Sequence, residues 1–555
     1  MTKKVFITNY LYSNKKISEY LAYIFFFIFF IISILILKDY SISTDEPFHR
    51  SIGHYWYIRI IENFFPNYEN LEILKKNFYM MPWSEAISDG QFSHYTILFD
   101  ILSAFAEDLF KIDNSRDAFY LKHFLTFFCF FISGIFFFKL IFNRFKNKFF
   151  SLVITFFYFT SPRIFAESFY NPKDIVFMSF CVYTLYYYFK IIDKFEFKNI
   201  IFFSIFAALA TDIRVMGIIF LFLFTVFFLL SSLEEESFFK KNYFKYICFI
   251  LFYFLFVYLC WPILWTSPIE NFFYAFKSFS NYGWGESVLY LGKFYKGNNL
   301  PWHYISVWII ITLPTFYTIL FLCGLVKILH SFTKNFLNIS QKNKLWKNLD
   351  EQKDFSILFF FITPLVSVII FNSTLYNAWR HLYFIYPCII YFLAIGINEI
   401  LFIKFKVILK KFFFYILLIL SFLNIFNLYE YHPYQNVYFN RFISKYSKDF
   451  FPVDYWGLGN KETLMFLQKY TDSNQKTLRT ASFTPLNYSK LILGKEVDEI
   501  IFTGTNDSNQ NFVFTNYIYE GNPVYLKKYY ISEDYKKIFS LKRKKIVINE
   551  LFIKN

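Results

Sequence analysis

Long apolar runs dominate this chain, and short breaks in which lysines collect separate one run from the next. A membrane-spanning helix needs about 20 predominantly apolar residues. The runs that approach or meet this length lie at 20–37, 119–142, 149–166, 174–190, 199–231, 244–262, 303–326, 355–371, 382–399 and 411–428. The pattern therefore predicts a polytopic membrane protein that is mainly α-helical.

The run at 199–231 is too long for a single span, and it contains Asp212 and Arg214 near its middle. Because ionisable groups at the centre of a bilayer are costly, we divide this run into two short helices that turn at 211–214. The division gives eleven predicted spans. Asp212 and Arg214 are then either a structural ion pair at a helix break or part of a ligand site.

The positions of the basic residues support this division, since cations gather in the cytoplasmic loops of membrane proteins. With eleven spans, the basic breaks fall on one side, at 144–148, 190–198, 240–245, 327–353 and 404–411. We place that side and the N-terminus in the cytoplasm. The segments on the other side are then 38–118, 167–173, 263–302, 376–381 and everything after about 430.

The first outer loop, 38–118, is too regular to be plain coil. Its stretch 94–111 has apolar residues at helical spacing, interrupted by Asp100, Glu107 and Asp108. This pattern is typical of an amphipathic helix, and such a helix can lie on a membrane surface.

The long apolar runs end near residue 430, and short alternating stretches such as 545–551 follow between turn-forming residues. Alternation at this length favours strands. We therefore divide the chain into a membrane domain, 1–429, and a small extracytoplasmic α+β domain, 430–555.

The amino-acid composition excludes some classes of function. The chain is 56% hydrophobic, as a lipid environment requires, and its formal charge of +16 comes largely from loop lysines. That placement reflects membrane topology, so we expect membrane lipids as surroundings and no nucleic-acid partner. Its six cysteines show neither CxxC nor Cys/His spacing, and no glycine-rich nucleotide-binding motif is present.

The first candidate cluster, Asp45, Glu46 and His49, follows the first span directly. A carboxylate there can accept a proton from a hydroxyl group. Asp before Glu-Pro can equally be the cap of a helix. The three side chains could also ligate a divalent cation, but we predict no metal site and no cofactor.

The second cluster, Arg163, Asn171, Lys173 and Asp174, lies between two spans on the same outer side. Its cations could bind a phosphate ester. The alternative is a proline turn that Asn or Asp caps, with cations that extend toward water.

Further polar and aromatic residues fall on the same side. Arg380 and His381 begin a later span, and the loop before an earlier one contains Trp302, His303 and the stretch 282–285. Aromatic rings there can stack on sugars or simply anchor the protein at the membrane interface. Because the clusters come from distant segments yet share one face, we predict a single site.

These motifs together resemble a known family. Asp45-Glu46, 171–174 (Asn-Pro-Lys-Asp), 300–304 (Leu-Pro-Trp-His-Tyr) and 379–381 (Trp-Arg-His) are similar to motifs of the membrane-embedded glycosyltransferases of the C superfold. The nearest resemblance is to bacterial proteins like the dolichyl-phosphate-mannose protein mannosyltransferases, and it covers most of 20–460. The fold expected is a C-superfold bundle of about eleven helices, with a large first outer loop.

The resemblance implies that Asp45 is the catalytic base, that Glu46 orients the acceptor or donor, and that the donor is a polyprenyl-phosphate sugar. From charge and sidedness we add the hypothesis that cations hold the leaving phosphate. The predicted substrate-binding residues are His49, Arg163, Asn171, Lys173, Asp174, Arg214, Trp302, His303, Arg380 and His381.

The sequence thus predicts an inverting glycosyltransferase of a bacterial inner membrane, acting on an extracytoplasmic glycan, lipid or protein. A transporter or lipid flippase is the main alternative, because Asp212 and Arg214 could mark a translocation path. A structural scaffold of the cell envelope is a third interpretation.

Overall fold

The computed structural model describes residues 15–280, 283–339, 344–402, 407–470, 476–504 and 510–555. Within these ranges, nine helices are long and apolar enough to cross a membrane, and a bent helix pair could be a tenth span. The chain is therefore a multi-pass membrane protein, as the apolar runs predicted. Tyr282 and 403–406, which belong to predicted loops, lie outside the described residues.

Within the described residues, eighteen α-helices form the membrane part and the loop 38–118. They are α1 (Lys15–Ile36), α2 (Glu46–Phe64), α3 (Leu71–Tyr79), α4 (Ser84–Ser88), α5 (Leu98–Leu109), α6 (Ser115–Phe145), α7 (Lys148–Phe159), α8 (Pro162–Tyr170), α9 (Asp174–Asp193), α10 (Phe197–Ile213), α11 (Ile219–Glu234), α12 (Glu236–Cys260), α13 (Pro268–Ser280), α14 (Tyr304–Thr312), α15 (Thr315–Leu337), α16 (Leu349–Ile370), α17 (Tyr386–Phe402) and α18 (Val407–Tyr431). A short antiparallel hairpin, β1 (Ser287–Tyr290) and β2 (Lys293–Lys296), interrupts the outer loop before α14.

The predicted division of the run 199–231 is confirmed. Helix α10 ends at Ile213, Arg214 is extended (φ −145°, ψ 130°), and a 3-10 turn, Val215–Ile218, leads into α11. The charged residues therefore sit at a helix break. With 17 residues, α10 is shorter than the nine clear spans, so the count of eleven spans stays a prediction.

The predicted single helix at 149–166 is wrong. Helix α7 ends at Phe159, α8 begins at Pro162, and the two axes differ by 68°. Proline lacks the N–H of a helical residue and forces the preceding residue, Ser161, into an extended conformation. The run at 303–326 is interrupted in the same way, because Pro314 separates α14 from α15.

The amphipathic helix predicted in the first outer loop is confirmed as α5. Its acidic residues Asp100 and Glu107 are buried against the protein, while Leu102 and Leu109 are exposed. The exposed side of α5 is thus apolar. That orientation suits a helix at a membrane surface, although its position relative to lipid stays a prediction.

Two glycines allow helices α15 and α17 to approach closely. A Cβ atom on Gly324 of α15 would lie 1.8 Å from the carbonyl oxygen of Phe392, and one on Gly396 of α17 would lie 2.2 Å from that of Leu320. Small residues of this kind let membrane helices pack backbone to backbone. Helix α17 follows the segment that contains Arg380, and the glycine contact lies farther along that helix.

The C-terminal part folds around a five-stranded mixed sheet, which confirms the predicted α+β character. Its elements are α19 (Ser447–Phe450), α20 (Asn460–Tyr470), α21 (Lys490–Leu493), β3 (Lys476–Thr480), β4 (Ile500–Thr503), β5 (Phe512–Thr515), β6 (Tyr535–Arg543) and β7 (Ile546–Lys554). The strand order is β4-β3-β5-β7-β6, with β3 parallel to both β4 and β5 and the remaining pairs antiparallel.

The core of this sheet domain contains two residues from far upstream. Ile42 and Phe119, which flank the first outer loop, pack with Leu464, Phe514 and Leu551. The sheet domain is therefore joined to the membrane part by a shared apolar core. The predicted boundary at residue 430 stays a prediction.

Candidate active site

The segment 42–46, between α1 and α2, is fixed by hydrogen bonds to distant parts of the chain. The Ser43 hydroxyl donates to the Tyr170 carbonyl at 2.9 Å. The Thr44 N–H and hydroxyl both donate to the Trp456 carbonyl, each at 3.0 Å. Bonds from both sides hold the backbone next to Asp45 in one position.

Asp45 forms an ion pair with Arg380. The Arg380 Nη1 atom donates to Asp45 Oδ2 at 2.6 Å, and the Asp45 side chain remains 36% exposed. Asp45 occupies the N-cap position of α2, as the alternative of a helix cap expected, but its side chain makes no capping hydrogen bond. Burial raises the pKa of Asp45, but the charges of Arg380, His49 and Arg214 outweigh burial and lower it.

Arg380 lies between two aromatic rings. Its guanidinium carbon is 4.7 Å from the centroid of Trp456 and 5.0 Å from that of Tyr376. Planar guanidinium groups stack on such rings. His381 packs edge-on against Tyr376, with centroids 4.6 Å apart, so this predicted residue belongs to the same cluster.

The turn that contains Trp456 is organised by a buried carboxylate. Asp454 accepts hydrogen bonds from Asn436 Nδ2 at 3.0 Å and from the Gly459 N–H at 2.8 Å. Burial raises the pKa of Asp454, while these bonds oppose that shift. Asp454 therefore shapes the turn that positions Trp456 over Arg380.

Arg214 joins the cluster through Asp174. Its Nη2 atom donates to Asp174 Oδ1, so the alternative of a structural pair between Arg214 and Asp212 is wrong. The extended backbone at the helix break turns Arg214 toward α9. Asn171 Oδ1 accepts the Asp174 N–H at 2.9 Å, so Asn171 caps α9, as one of the two interpretations of this motif expected.

Lys173 lies beside the same ion pair. Its Nζ atom donates to the Thr96 carbonyl and to the Thr96 hydroxyl, the latter at 3.1 Å. Burial lowers the pKa of Lys173 to about 8, although the nearby Asp100 opposes this shift. Lys173 is therefore a cation that loses its charge as the pH rises through about 8.

Asp100 connects the first outer loop to these cations. It contacts His49 Nδ1 at 3.0 Å and accepts a hydrogen bond from Lys122 Nζ at 3.1 Å. A Cβ atom on Gly53 would lie 2.3 Å from the Asp100 carbonyl oxygen, so α2 and α5 touch at this point. Burial raises the pKa of Asp100, but the charges of His49 and Lys122 outweigh it and hold the pKa well below its usual range.

Glu46 is completely buried beneath Asp45. Its Oε2 atom accepts the Ser43 N–H at 2.7 Å, and its Oε1 atom lies 2.9 Å from His123 Nε2. The carboxylate therefore fixes the start of α2. Because Glu46 is buried, its predicted role of orienting the acceptor or donor would be indirect.

Arg163 lies in a separate aromatic cage. It donates from Nε to the Tyr438 carbonyl at 2.9 Å, and its guanidinium carbon is 4.7 Å from the ring of Phe439 and 5.5 Å from that of Trp308. Only 1% of Arg163 is exposed. None of these contacts joins it to the Asp45 cluster.

The contacts of Trp302 and His303 are also separate from the Asp45 cluster. Trp302 is 72% exposed and lines a cavity of about 100 Å³ with Leu365 and Ile369, whereas His303 Nδ1 lies 2.6 Å from the Tyr290 hydroxyl.

Of the predicted site residues, the structure brings together Asp45, His49, Lys173, Asp174, Arg214, Arg380 and His381.

Sequence reasoning did not assign to the site several residues that build the cluster: Asp100, Lys122, His123 and Trp456. Two of them gave a signal, since Asp100 interrupts an apolar pattern and Trp456 lies shortly after the last predicted span. Among the described residues, no group of three or more His, Cys, Asp or Glu side chains could hold a metal ion.

Residues 110–261 match the model of a family described as dolichyl-phosphate-mannose-protein mannosyltransferase. This match confirms the resemblance to membrane-embedded glycosyltransferases, and it supports glycosyltransferase activity in general terms. It includes Lys173, Asp174 and Arg214, but Asp45 and Arg380 lie outside it. No protein of curated function has a sequence that matches this chain.

The solved structures to which the chain is similar include oligosaccharyltransferases from Archaeoglobus fulgidus. One is AglB in complex with an inhibitory peptide and a dolichol-phosphate, at 11% identity and a TM-score of 0.45, with 89% of this chain and 69% of that chain covered. Another is the apo form, at 9% identity and a TM-score of 0.44, with 80% and 65% covered. These likenesses are too distant to identify a substrate or a residue's role.

Proposed function

We propose that this chain is an inverting glycosyltransferase that moves a monosaccharide from a polyprenyl-phosphate carrier to an extracytoplasmic acceptor. The observation that carries the proposal is the contact of 2.6 Å between Asp45 and Arg380, in which the carboxylate keeps an exposed side. A base and a phosphate-binding cation are thereby adjacent. The match to a glycosyltransferase family supports the same class of reaction.

Asp45 would act as the general base. The acceptor hydroxyl attacks the anomeric carbon of the donor, its oxygen bonds to that carbon, and its proton passes to the Asp45 carboxylate. The bond between the anomeric carbon and the carrier phosphate oxygen breaks in the same step. A single displacement of this kind inverts the configuration at the anomeric carbon.

Three cations would hold the leaving polyprenyl phosphate: Arg380, Arg214 and Lys173. Cations placed where negative charge develops stabilise the transition state. In the structure, Asp45 and Asp174 neutralise the two arginines. A bound phosphate would share Arg380 with Asp45, and this would make the carboxylate a stronger base.

The remaining cluster residues would position these groups. Asp100 holds His49 one helical turn from Asp45, Glu46 fixes the start of α2, and Asn171 caps the helix that carries Asp174. His381 packs against the ring that stacks on Arg380. The contacts of Arg163, Trp302 and His303 suggest no such role.

We also propose that the protein lies in a bacterial inner membrane, with the N-terminus in the cytoplasm and the site outside. The distribution of basic breaks supports this orientation. The exposed apolar side of α5 supports a position of the first loop at the outer membrane surface.

The test uses the full chain in lipid nanodiscs with a panel of radiolabelled polyprenyl-phosphate sugars and envelope extract. We expect wild type to transfer label, and Asp45→Asn to lose at least about 100-fold of the rate. Asp39→Asn is the matched control, since Asp39 lies on the preceding turn and contacts His432 at 2.7 Å. Equal rates for Asp45→Asn and wild type would refute the assignment of the base.

A lipid flippase is the second candidate, and Asp212 is the observation that favours it. This carboxylate is completely buried, and neither oxygen has a hydrogen-bond partner within the described residues. Such a group in a membrane helix can mark a translocation path. Folded wild type that moves polyprenyl phosphate between leaflets, but transfers no sugar from any donor, would establish this alternative.

A further inference from the structure

One buried carboxylate is bonded to the surroundings of both arginines in the candidate active site. Glu167 lies in α8, the short helix after the bend at Pro162, and it is completely buried. It accepts hydrogen bonds from side chains of three different segments. Each of these segments carries Arg380 itself or a residue that holds one of the two arginines, so Glu167 lies at a junction of the site.

Two of the bonds reach the cage of Arg380. Glu167 Oε1 accepts a hydrogen bond from the Tyr383 hydroxyl at 2.6 Å and another from the Tyr455 hydroxyl at 3.1 Å. Tyr383 belongs to the same 3-10 helix as Arg380. Tyr455 directly precedes Trp456, the ring that lies 4.7 Å from the Arg380 guanidinium carbon. One oxygen therefore ties the segment of Arg380 to the turn that carries its stacking partner.

The third bond leads to the ion pair of Arg214. Glu167 Oε2 accepts a hydrogen bond from Asn171 Nδ2 at 2.9 Å, and the same nitrogen donates to Asp174 Oδ2 at 3.1 Å. The orientation of this amide is fixed, because Asn171 Oδ1 accepts the Asp174 N–H. The other oxygen of Asp174 accepts a hydrogen bond from Arg214. Asn171 therefore joins Glu167 to the carboxylate that holds Arg214.

The spacing of the two arginines matters for a phosphate ligand. Two guanidinium groups can donate to one phosphate only when they are held at a suitable separation. Arg214 lies at the helix break after α10, and Arg380 lies just before α17, so no local turn sets this separation. The bonds of Glu167 connect the two places directly. Supporting hydrogen bonds of this kind keep binding groups in their productive geometry.

We propose that Glu167 is a positioning residue that sets the spacing of Arg380 and Arg214 for the leaving phosphate. This inference rests on the proposed glycosyltransferase function. In this role Glu167 acts through the two tyrosines and the asparagine, while the arginines contact the phosphate. A change at Glu167 should therefore affect both arginines together.

A purely structural role of Glu167 makes a different prediction. Loss of buried hydrogen bonds lowers the stability of a protein wherever those bonds lie. Protein that remains folded would then bind phosphate with unchanged affinity. The affinity of the folded protein therefore distinguishes positioning from stability alone.

The experiment measures the Kd for undecaprenyl phosphate and the kinetics of transfer, with the full chain in nanodiscs. Glu167→Gln is the main variant because glutamine has nearly the same shape. Its NH2 group must face either Asn171 Nδ2 or the two tyrosine hydroxyls, so the three bonds cannot all keep their direction. We expect the Kd to rise by about tenfold. We expect kcat to fall by at least about tenfold, with the KM for the acceptor within about threefold of wild type.

Tyr383→Phe tests the same connection with a milder change, because it removes one bond and keeps the ring. It should raise the Kd by about threefold. This variant also decides the question if Glu167→Gln does not fold. A folded Tyr383→Phe protein with the wild-type Kd and kcat would contradict the connection to Arg380.

Double variants test whether Glu167 acts through the arginines. In an Arg380→Lys or an Arg214→Lys background, Glu167→Gln should raise the Kd by only about threefold, because residues that act as a unit are not additive. Independent effects would instead multiply. A full tenfold rise in both backgrounds would overturn the proposal.

Asp354→Asn is the matched control. Asp354 is also a buried carboxylate, and it accepts hydrogen bonds from Arg144 at 2.8 Å and from the Tyr391 hydroxyl at 2.5 Å. It lies at the end of the bundle that we predict to be cytoplasmic. This variant should lower the melting temperature and leave the Kd as in wild type.

Two further outcomes would overturn the proposal: folded Glu167→Gln with the wild-type Kd and kcat, or an equal rise of the Kd in Asp354→Asn. A wild type that binds no undecaprenyl phosphate and transfers no sugar would instead count against the proposed function.

Discussion

Arg380 and Arg163 occupy two similar cages with different consequences. Each is almost fully buried, at 5% and 1% exposure, and each lies between two aromatic rings. Arg380 contacts the partly exposed Asp45, whereas Arg163 bonds to a backbone carbonyl. The two terminal nitrogens of Arg163 have no hydrogen-bond partner among the described residues. Of the two buried arginines, only Arg380 is a candidate phosphate ligand, because its partner Asp45 is partly exposed.

We expect the largest loss of transfer rate when the Arg380 cage is broken. Arg380→Ala should lower the transfer rate by about 100- to 1,000-fold, because it removes a cation next to the leaving phosphate. Arg380→Lys should lose less, since it keeps the charge but not the planar stack. Transfer assays in nanodiscs measure both variants. An unchanged rate in Arg380→Ala would remove this arginine from the mechanism.

Breaking the Arg163 cage should affect stability instead. Arg163→Leu loses two ring contacts and a buried hydrogen bond, so we expect a loss of about 2 kcal/mol and a melting temperature lower by several degrees. The Kd for polyprenyl phosphate should stay within about threefold of the wild-type value. Thermal unfolding and lipid binding in the same nanodiscs separate the two effects. A strong loss of lipid binding in folded protein would show that Arg163 does contact the donor.

The smallest expected effect is a shift in pH dependence. Asp45 must be ionised to accept a proton, so activity falls as the pH drops through its pKa. Arg380 is the largest of the charges that lower this pKa, while burial raises it. In Arg380→Gln, the acidic limb of the rate profile should therefore move to higher pH. A limb that stays in place would mean that another group titrates.

Much of the fold could be predicted because apolar length and charge placement are local properties. The break at Arg214 followed from two ionisable residues in an overlong run, and α5 followed from helical spacing. The bends at Pro162 and Pro314 were visible in the sequence but were outweighed by continuous hydrophobicity. The predicted side of the membrane could likewise place several cations on one face. It could not distinguish the buried surroundings of Arg163 from the site of Arg380.

The missed residues act through contacts between distant segments. His123 reaches Glu46, and Trp456 reaches both Thr44 and Arg380. Each depends on the packing of two elements, and no local pattern encodes that packing. Asp100 was seen only as an interruption in an apolar helix, because its partners lie on other helices.

The shared core of the sheet domain has a consequence for biosynthesis. Ile42, three residues before Asp45, packs in a core that also contains Leu551 of β7. Most of the chain is synthesised between these two residues. Contacts of such high sequence separation form late in folding. The nascent protein therefore enters the membrane many times before the segment that contains Asp45 is locked in place.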